Sequence, residues 1–539
     1  MKINLIFTLL LMMLSPLTQL KCQTIYVSDT IEPGTVWNAD TVKVIGDVIV
    51  PQGVKLQINS GTYVEFQGYF KLDISGSISA LGMLNDIIVF TNFDTTGFIT
   101  DTLSSAGGWA GIRLHNNIVS PDSAVFEYCK IQFAKKFGEY AGDIMGGAIR
   151  AENFGNLIVR NSELNSNMVI CYTTGVYGAA GGAIYCKNVN QVHIENNIFL
   201  NNRSFDVGGA ICINEGCHTR IDRNTFKENT AKWWKISGGW IFIGGAGGAI
   251  STFDAFAYSP TISNNYCFNN QSITGIIYTS NPEALVYNNV ICNNNGVGFF
   301  DGHQGSVTRI FNNTIVNNAS LSGGIELFSR ARVYNNICWG NERYPGQVSD
   351  QINMENATLG YQLFNNCVEH GNGGTNSIHE YPEFILPTPG AGLQYDGSDA
   401  DWNLLDVSRC VNHGAADTTG LHIPAIDILG NPRIIGTAIE MGAYENINVI
   451  TNIVINPRGS ESSGVFPNPG HSSLTVFTDI PNSGFQLFNV SGSLVLNQTI
   501  AGSEISMDVG SLEPGIYVYR IISEVNGIIV KTGKWIKVS

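Results

Sequence analysis

The sequence predicts an all-β protein: an elongated solenoid of stacked parallel strands, followed by a small β-sandwich. Three observations point there. Only 14% of the 539 residues are charged and 60 are glycine, a balance suited to many short strands and turns. Short apolar strands recur with a period of about 24 residues, and the last 75 residues abandon that period. A net charge of -15 excludes an electrostatic nucleic-acid binder, which needs a basic surface to displace phosphate counterions.

Lys2, the mostly apolar run Ile3 to Leu14 and the helix-breaking Pro16 predict a secretory signal over residues 1–22. Lys21, directly before Cys22, argues against a lipoprotein site. No later segment reaches the roughly 18 uninterrupted apolar residues of a membrane-spanning helix, so an integral membrane protein is not expected. The remaining chain divides into a solenoid over 23–445, a linker over 446–464 and a terminal domain over 465–539.

Within the solenoid, an apolar-x-apolar-x-Asn-Asn motif ends at Asn161, Asn197, Asn224, Asn265, Asn289, Asn313, Asn336 and Asn366. A Gly-Gly-Ala-Ile motif lies upstream at Gly146, Gly181, Gly208 and Gly247. A unit this short cannot bury its own apolar face. Stacking equivalent strands about 4.8 Å apart closes the face and pairs the backbone. Asn then tolerates a left-handed turn, and its amide can bond to the Asn of the next coil. Gly supplies a position without Cβ. Residues 41–91 alternate apolar strands with glycines and read as first coils with an N-terminal cap.

With these motifs the chain resembles the right-handed parallel β-helix family, the pectate-lyase-like superfold, over roughly Val42 to Asn446. Asp427-Ile-Leu-Gly-Asn-Pro-Arg433 and Glu440-Met-Gly-Ala-Tyr-Glu445 resemble the closing segment of exported bacterial β-helix proteins. That resemblance implies a cover for the open edge of the last coil. The cysteines after Cys22 show no C-x-x-C spacing, so a structural zinc site is not expected. Cys267, Cys292, Cys338 and Cys367 follow Asn-Asn pairs and read either as a column of small apolar side chains or as members of disulfides.

In the tail, Phe466-Pro-Asn-Pro469, Gly515-Ile-Tyr517 and the Lys-rich end at Lys531 to Lys537 occur in one order. They are similar to the C-terminal sorting domain of bacterial type IX secretion cargo. The resemblance implies engagement of that secretion machinery through residues 465–539, export through the periplasm and removal of the tail. It further implies release or attachment at the outer-membrane surface.

The residue after each Gly-Gly-Ala-Ile should point outward, giving a column of Arg150, Tyr185, Cys212, Ser251, Tyr278, Asp301 and Glu326. Asp301 and Glu326 are then expected about 5 Å apart on adjacent coils, with His303 beside them. Such a pair splits into acid and nucleophile, as a retaining glycosidase needs, or stands as solvated surface carboxylates. Insertions precede several Gly-Gly motifs and carry Tyr172, Tyr177, Trp233, Trp234 and Trp240. With Tyr278, these rings either stack on sugars or hold the loops down. Asp396-Gly-Ser-Asp-Ala-Asp401 reads as a calcium loop or a polar cap loop, and no other cofactor is expected. No phosphate loop, zinc helix or G-x-S-x-G elbow is present. Three functions remain open: a glycan binder or adhesin, a polysaccharide hydrolase or lyase, and a structural surface rod.

Overall fold

The computed structural model describes residues 23–538 apart from 103, 117–121, 139–143, 172–177, 233–244, 254–257, 303–306, 321, 329, 344–346, 349, 355–359, 416–417, 448–462, 467–469, 481, 490–492 and 524–528. The predicted signal segment lies outside the described residues. Two compact units divide the chain, residues 1–451 and 452–539.

The first unit is a parallel β-helix. One coil illustrates it. Ile149–Glu152 pairs with Ile112–His115 of the coil before and with Ile184–Lys187 of the coil after, all in parallel. After a bend at Asn153, Asn156–Arg160 pairs with Ser123–Glu127 and Gln191–Glu195. Glu163–Asn165 then joins a third ladder and Met168–Cys171 a short fourth one. Side chains alternate along each strand: Ile149, Ala151, Leu157, Val159 and Leu164 are buried, while Arg150 and Glu152 are not. Each fully buried Ile, Leu or Val side chain contributes roughly 1.5–3 kcal/mol. The core runs unbroken from Trp37 to Val368.

The Asn-Asn pairs divide two tasks that the sequence suggests one residue performs. The first Asn takes the left-handed backbone, as at Asn196 (φ 58°), Asn288 (φ 54°) and Asn312 (φ 52°). The second turns inward and builds the ladder. The Asn197 backbone N–H and Nδ2 both donate to Asn224 Oδ1 at 3.0 Å, and Nδ2 donates again to Val159 O at 2.8 Å. Asn289, Asn313 and Asn336 queue in the same way, out to Asn366. In the first unit of the motif the left-handed residue is Asn161 (φ 52°), so Ser162 takes the ladder position. A second ladder, five residues on, runs from Asn167 through Asn202, Asn229, Asn270, Asn294 and Asn318 to Asn341, and ends on the Gln351 side chain.

The Gly-Gly motif is also divided. Gly181 has φ 69°, a region that L side chains rarely adopt. Gly182 lies against the next coil, where a Cβ would stand 2.1 Å from Gly209 O. Gly182→Ala is expected to lower the stability of this unit by about 2–3 kcal/mol, read as a lower thermal midpoint by circular dichroism. An unchanged midpoint would mean that the coils separate there without cost.

The closing segment does not lie where the sequence places it. Residues 370–378 pair along the edge of the last coil, through Thr375 with Phe364 and Ile378 with Cys367. The stretch from Phe384 to Asn446 instead returns along the outside of the helix as a strap. Its anchors are the outer side chains of the left-handed turns: Asn269 donates to Tyr395 O, Asn293 to Gly390 O, Asn288 to Ile426 O and Asn312 to Glu440 O, at 2.8–2.9 Å. Asp427 Oδ1 accepts from the backbone of Leu429 and Asn431. Buried Arg433 pairs with buried Glu445 at 3.2 Å. The strap divides the cysteines into two environments. Cys267 and Cys338 face the core of the helix, whereas Cys292 and Cys367 face outward into a second apolar cluster with Trp402 and Met441. All ten described cysteines are free thiols.

The second unit has two antiparallel sheets. Ser463–Phe466, Ser473–Thr478 and Glu504–Asp508 form one; Leu494–Ile500, Ser483–Asn489, Gly515–Ser523 and Ile529–Lys537 form the other. Leu474, Val476, Phe485, Leu487, Tyr519 and Trp535 fill the space between them.

Candidate functional site

The outward column of the first ladder follows from the strand register. Asp73 stands opposite Arg113, Arg113 opposite Arg150, and Arg150 opposite Tyr185. The column continues through Cys212 and Ser251 to Tyr278. Tyr278 is then opposite Phe300, and Phe300 opposite Glu326. Asp301 therefore does not share a register with Glu326; its partners are Thr279 and Leu327, and it is fully buried. The expected carboxylate pair is not formed. The reason is a one-residue slip: aligning Gly298-Phe-Phe300 with Gly275-Ile-Ile277 puts Asp301 outside, whereas the pairing matches Gly275 with Val297. Because strand periodicity is two, that slip moves a side chain to the opposite face. Glu326 remains on the outer side and accepts a hydrogen bond from Ser322 Oγ. His303 lies outside the described residues, as do Tyr172, Tyr177, Trp233, Trp234 and Trp240.

The flank has a closed middle and two open ends. In the middle, Tyr185 and Cys212 are 2% exposed and pack with Ala180 at the root of an insertion. Burial pushes the Tyr185 hydroxyl well above its usual range. At the later coils Phe253, Tyr278, Phe300 and Phe328 form a ladder of half-buried rings, with successive centroids 5.2, 5.3 and 5.2 Å apart. The first pair is tilted by 39° and the other two are stacked at 18° and 29°, so at that spacing part of each face stays uncovered. The Tyr278 hydroxyl lies over Gly302, where a Cβ would approach it to 2.3 Å. Tyr278 is a predicted ring and Phe253 and Phe328 lie at outward positions of the repeat, whereas Phe300 is placed beside Tyr278 only by the strand register.

The early end is charged. Lys71, Asp73, Arg113, His115, Arg150 and Glu152 line a cavity of about 370 Å³. Arg113 Nη1 donates to Gly146 O at 2.5 Å, and Arg150 pairs with Glu152 at 2.7 Å. Burial, and to a smaller degree Arg150, lower the Arg113 guanidinium to about 10. Burial also raises the Asp73 carboxyl, but hydrogen bonds from Lys71 and His115 outweigh it and hold the group below its usual range. The sequence marks Arg150 after the first Gly-Gly-Ala-Ile motif, but the coils that carry Asp73 and Arg113 lack the Asn-Asn signature that sets the register later in the chain.

The predicted calcium loop contains a short turn over Gly397–Asp399. Asp396 accepts from the Ser398 backbone at 2.9 Å and pairs with Lys227 at 3.0 Å, while Asp401 accepts from Asn403. Among the described residues no group of three or more His, Cys, Asp or Glu side chains gathers as a metal site would require. Among the described residues no helix is long and apolar enough to cross a membrane.

Comparisons with curated proteins and with solved structures return no match. Residues 464–536 match the family model described as the secretion system C-terminal sorting domain, so the chain carries the tail that marks proteins exported by the type IX system to the cell surface or the extracellular space.

Proposed function

We propose that the exported β-helix binds a surface or environmental polysaccharide along the outer flank of its first ladder, as a glycan-binding or adhesive protein. The ring ladder Phe253–Tyr278–Phe300–Phe328 carries this reading. Offset rings at a regular spacing offer a stepped apolar ridge to the C–H faces of successive sugars, and Ser280 and Glu326 beside it supply hydroxyl partners. Delivery to the cell exterior places such a ridge where long-chain glycans occur.

A polysaccharide array probed with the full chain tests the reading. Phe300→Ala is expected to weaken binding of the best glycan about 10-fold, the equivalent of one lost ring contact of about 1.4 kcal/mol. An array with no binding, or binding untouched by Phe300→Ala and Tyr278→Ala, would leave the structural rod as the function. Release of reducing ends, or of ends absorbing in the ultraviolet, from the same polysaccharides would instead favour a hydrolase or lyase.

A further inference from the structure

At the charged end of the flank, three side chains form a connected line. Asp73 is on the strand Leu72–Ile74 and Ser75 directly follows it; Ile74 pairs with Leu114, so Ser75 stands opposite His115. His115 Nε2 bonds to Asp73 Oδ1, and Ser75 Oγ lies 3.3 Å from His115 Nδ1. The nitrogen facing a carboxylate carries the proton, which leaves the Nδ1 lone pair directed at the serine hydroxyl. Lys71 Nζ holds the other Asp73 oxygen at 2.5 Å and fixes the carboxylate in place. Asn116 Nδ2 donates to the Ser75 carbonyl and fixes the end of the strand.

We propose that Ser75, His115 and Asp73 act as nucleophile, general base and orienting group in a serine esterase site that removes acyl groups from O-acylated sugars. That the ester is carried on a sugar rests on the glycan reading above; the ester chemistry does not. The arrangement has the roles of a hydrolytic triad with the two imidazole nitrogens exchanged, which is permitted because either nitrogen can accept while the other donates to the carboxylate. A separation of 3.3 Å is within the looser range of nucleophile and base before substrate binds. The His115 side chain is 55% exposed, so substrate can reach the line from solvent. Arg113 and Arg150, at the same register as Asp73 on the next two coils, put positive charge near the site, with Arg113 held by the carbonyls of Ile112, Gly146 and Gly147 and Arg150 by Glu152. The adjoining 370 Å³ cavity has room for a sugar ring.

In the first step Ser75 Oγ bonds to the acyl carbon as its proton passes to His115 Nδ1. The bond from that carbon to the sugar oxygen breaks, and the sugar oxygen takes the proton from His115. Water then attacks the acyl-serine, His115 accepts the water proton and returns it to Ser75 Oγ, and a carboxylic acid leaves. The net reaction is ester plus water to alcohol plus acid.

The full chain is tested with 4-nitrophenyl acetate and, separately, with a fluorophosphonate probe that labels activated serines. Mass spectrometry is expected to find the label on Ser75. Ser75→Ala should abolish it and reduce 4-nitrophenol release roughly 100-fold. His115→Gln should do the same, and Asp73→Asn should reduce the rate and shift its pH profile. Release that persists in Ser75→Ala, or an unlabelled Ser75 in folded protein, would overturn the proposal. Neither probe contains a sugar, so failure here and failure of glycan binding are separate results.

Discussion

Asn313→Ala is expected to cost about 3–5 kcal/mol of the stability of the β-helix, several times the cost of changing its neighbour Asn312. Asn313 Oδ1 accepts from the backbone and side chain of Asn289 at 2.9 and 3.0 Å. Its Nδ2 donates to Asn336 Oδ1, Val286 O and Phe311 O at 2.9–3.1 Å. Alanine removes all five contacts and leaves a buried N–H and carbonyls without partners, each worth about 1–3 kcal/mol when unsatisfied. Water cannot replace them, because the site is fully buried. Asn312→Gly, at an equally buried position, relaxes a backbone at φ 52° and gives up one good bond to Glu440 O and two long ones, to Gly442 O and from Asn335 Nδ2, a net change of about 1 kcal/mol. Denaturant unfolding of the two variants checks this. Equal losses would refute the division of labour within the Asn-Asn pair.

Raising the pH from 5 to 9 is expected to loosen the strap. Burial raises the Glu440 carboxyl to about 7 and the Glu445 carboxyl to about 8, with only partial relief from Arg433. Asp427 and Asp406 add negative charge beside Glu440. In the unfolded chain both glutamates titrate near the ordinary value of 4.5. Between there and about 8 the folded state holds protons that the unfolded state has released, so stability is greatest below that window and falls as pH rises through it. The loss by pH 9 should be several kcal/mol, at most about 7 kcal/mol for the two groups together. Glu445→Gln keeps an oxygen toward Arg433 Nη1 and the Glu440 backbone N–H, and should flatten the dependence. The thermal midpoint measured across this range is the check; a midpoint that climbs with pH would reverse the assignment.

Much of this fold is legible in the primary structure, and particular residues explain why. The spacing of 24 between Asn265, Asn289 and Asn313 needs no tertiary information to imply stacking. The second ladder leaves a signal that the single Asn motif passes over: Asn196-Asn197 and Asn201-Asn202, like Asn288-Asn289 and Asn293-Asn294, repeat the doublet five residues on. The strap is not legible, because Asn269, Asn293 and Asn312 look the same in sequence whether their outer amides face water or another segment. The candidate site is the least legible part. Asp301 lies in a coil whose Gly-Gly motif has decayed to Gly298-Phe-Phe300, and there a single residue of register reverses the face of a side chain.

The sequence by itself determined that the chain stacks in coils of about two dozen residues and ends in a sorting domain, because periodic Asn and Gly constrain the backbone locally and identically in every unit. The tertiary structure alone decided which side chains share the outer flank: Phe300 with Tyr278, and His115 with Asp73 and Ser75. Lateral neighbours in a solenoid are fixed by strand register between coils of unequal length, and register is settled by the packing of the whole stack.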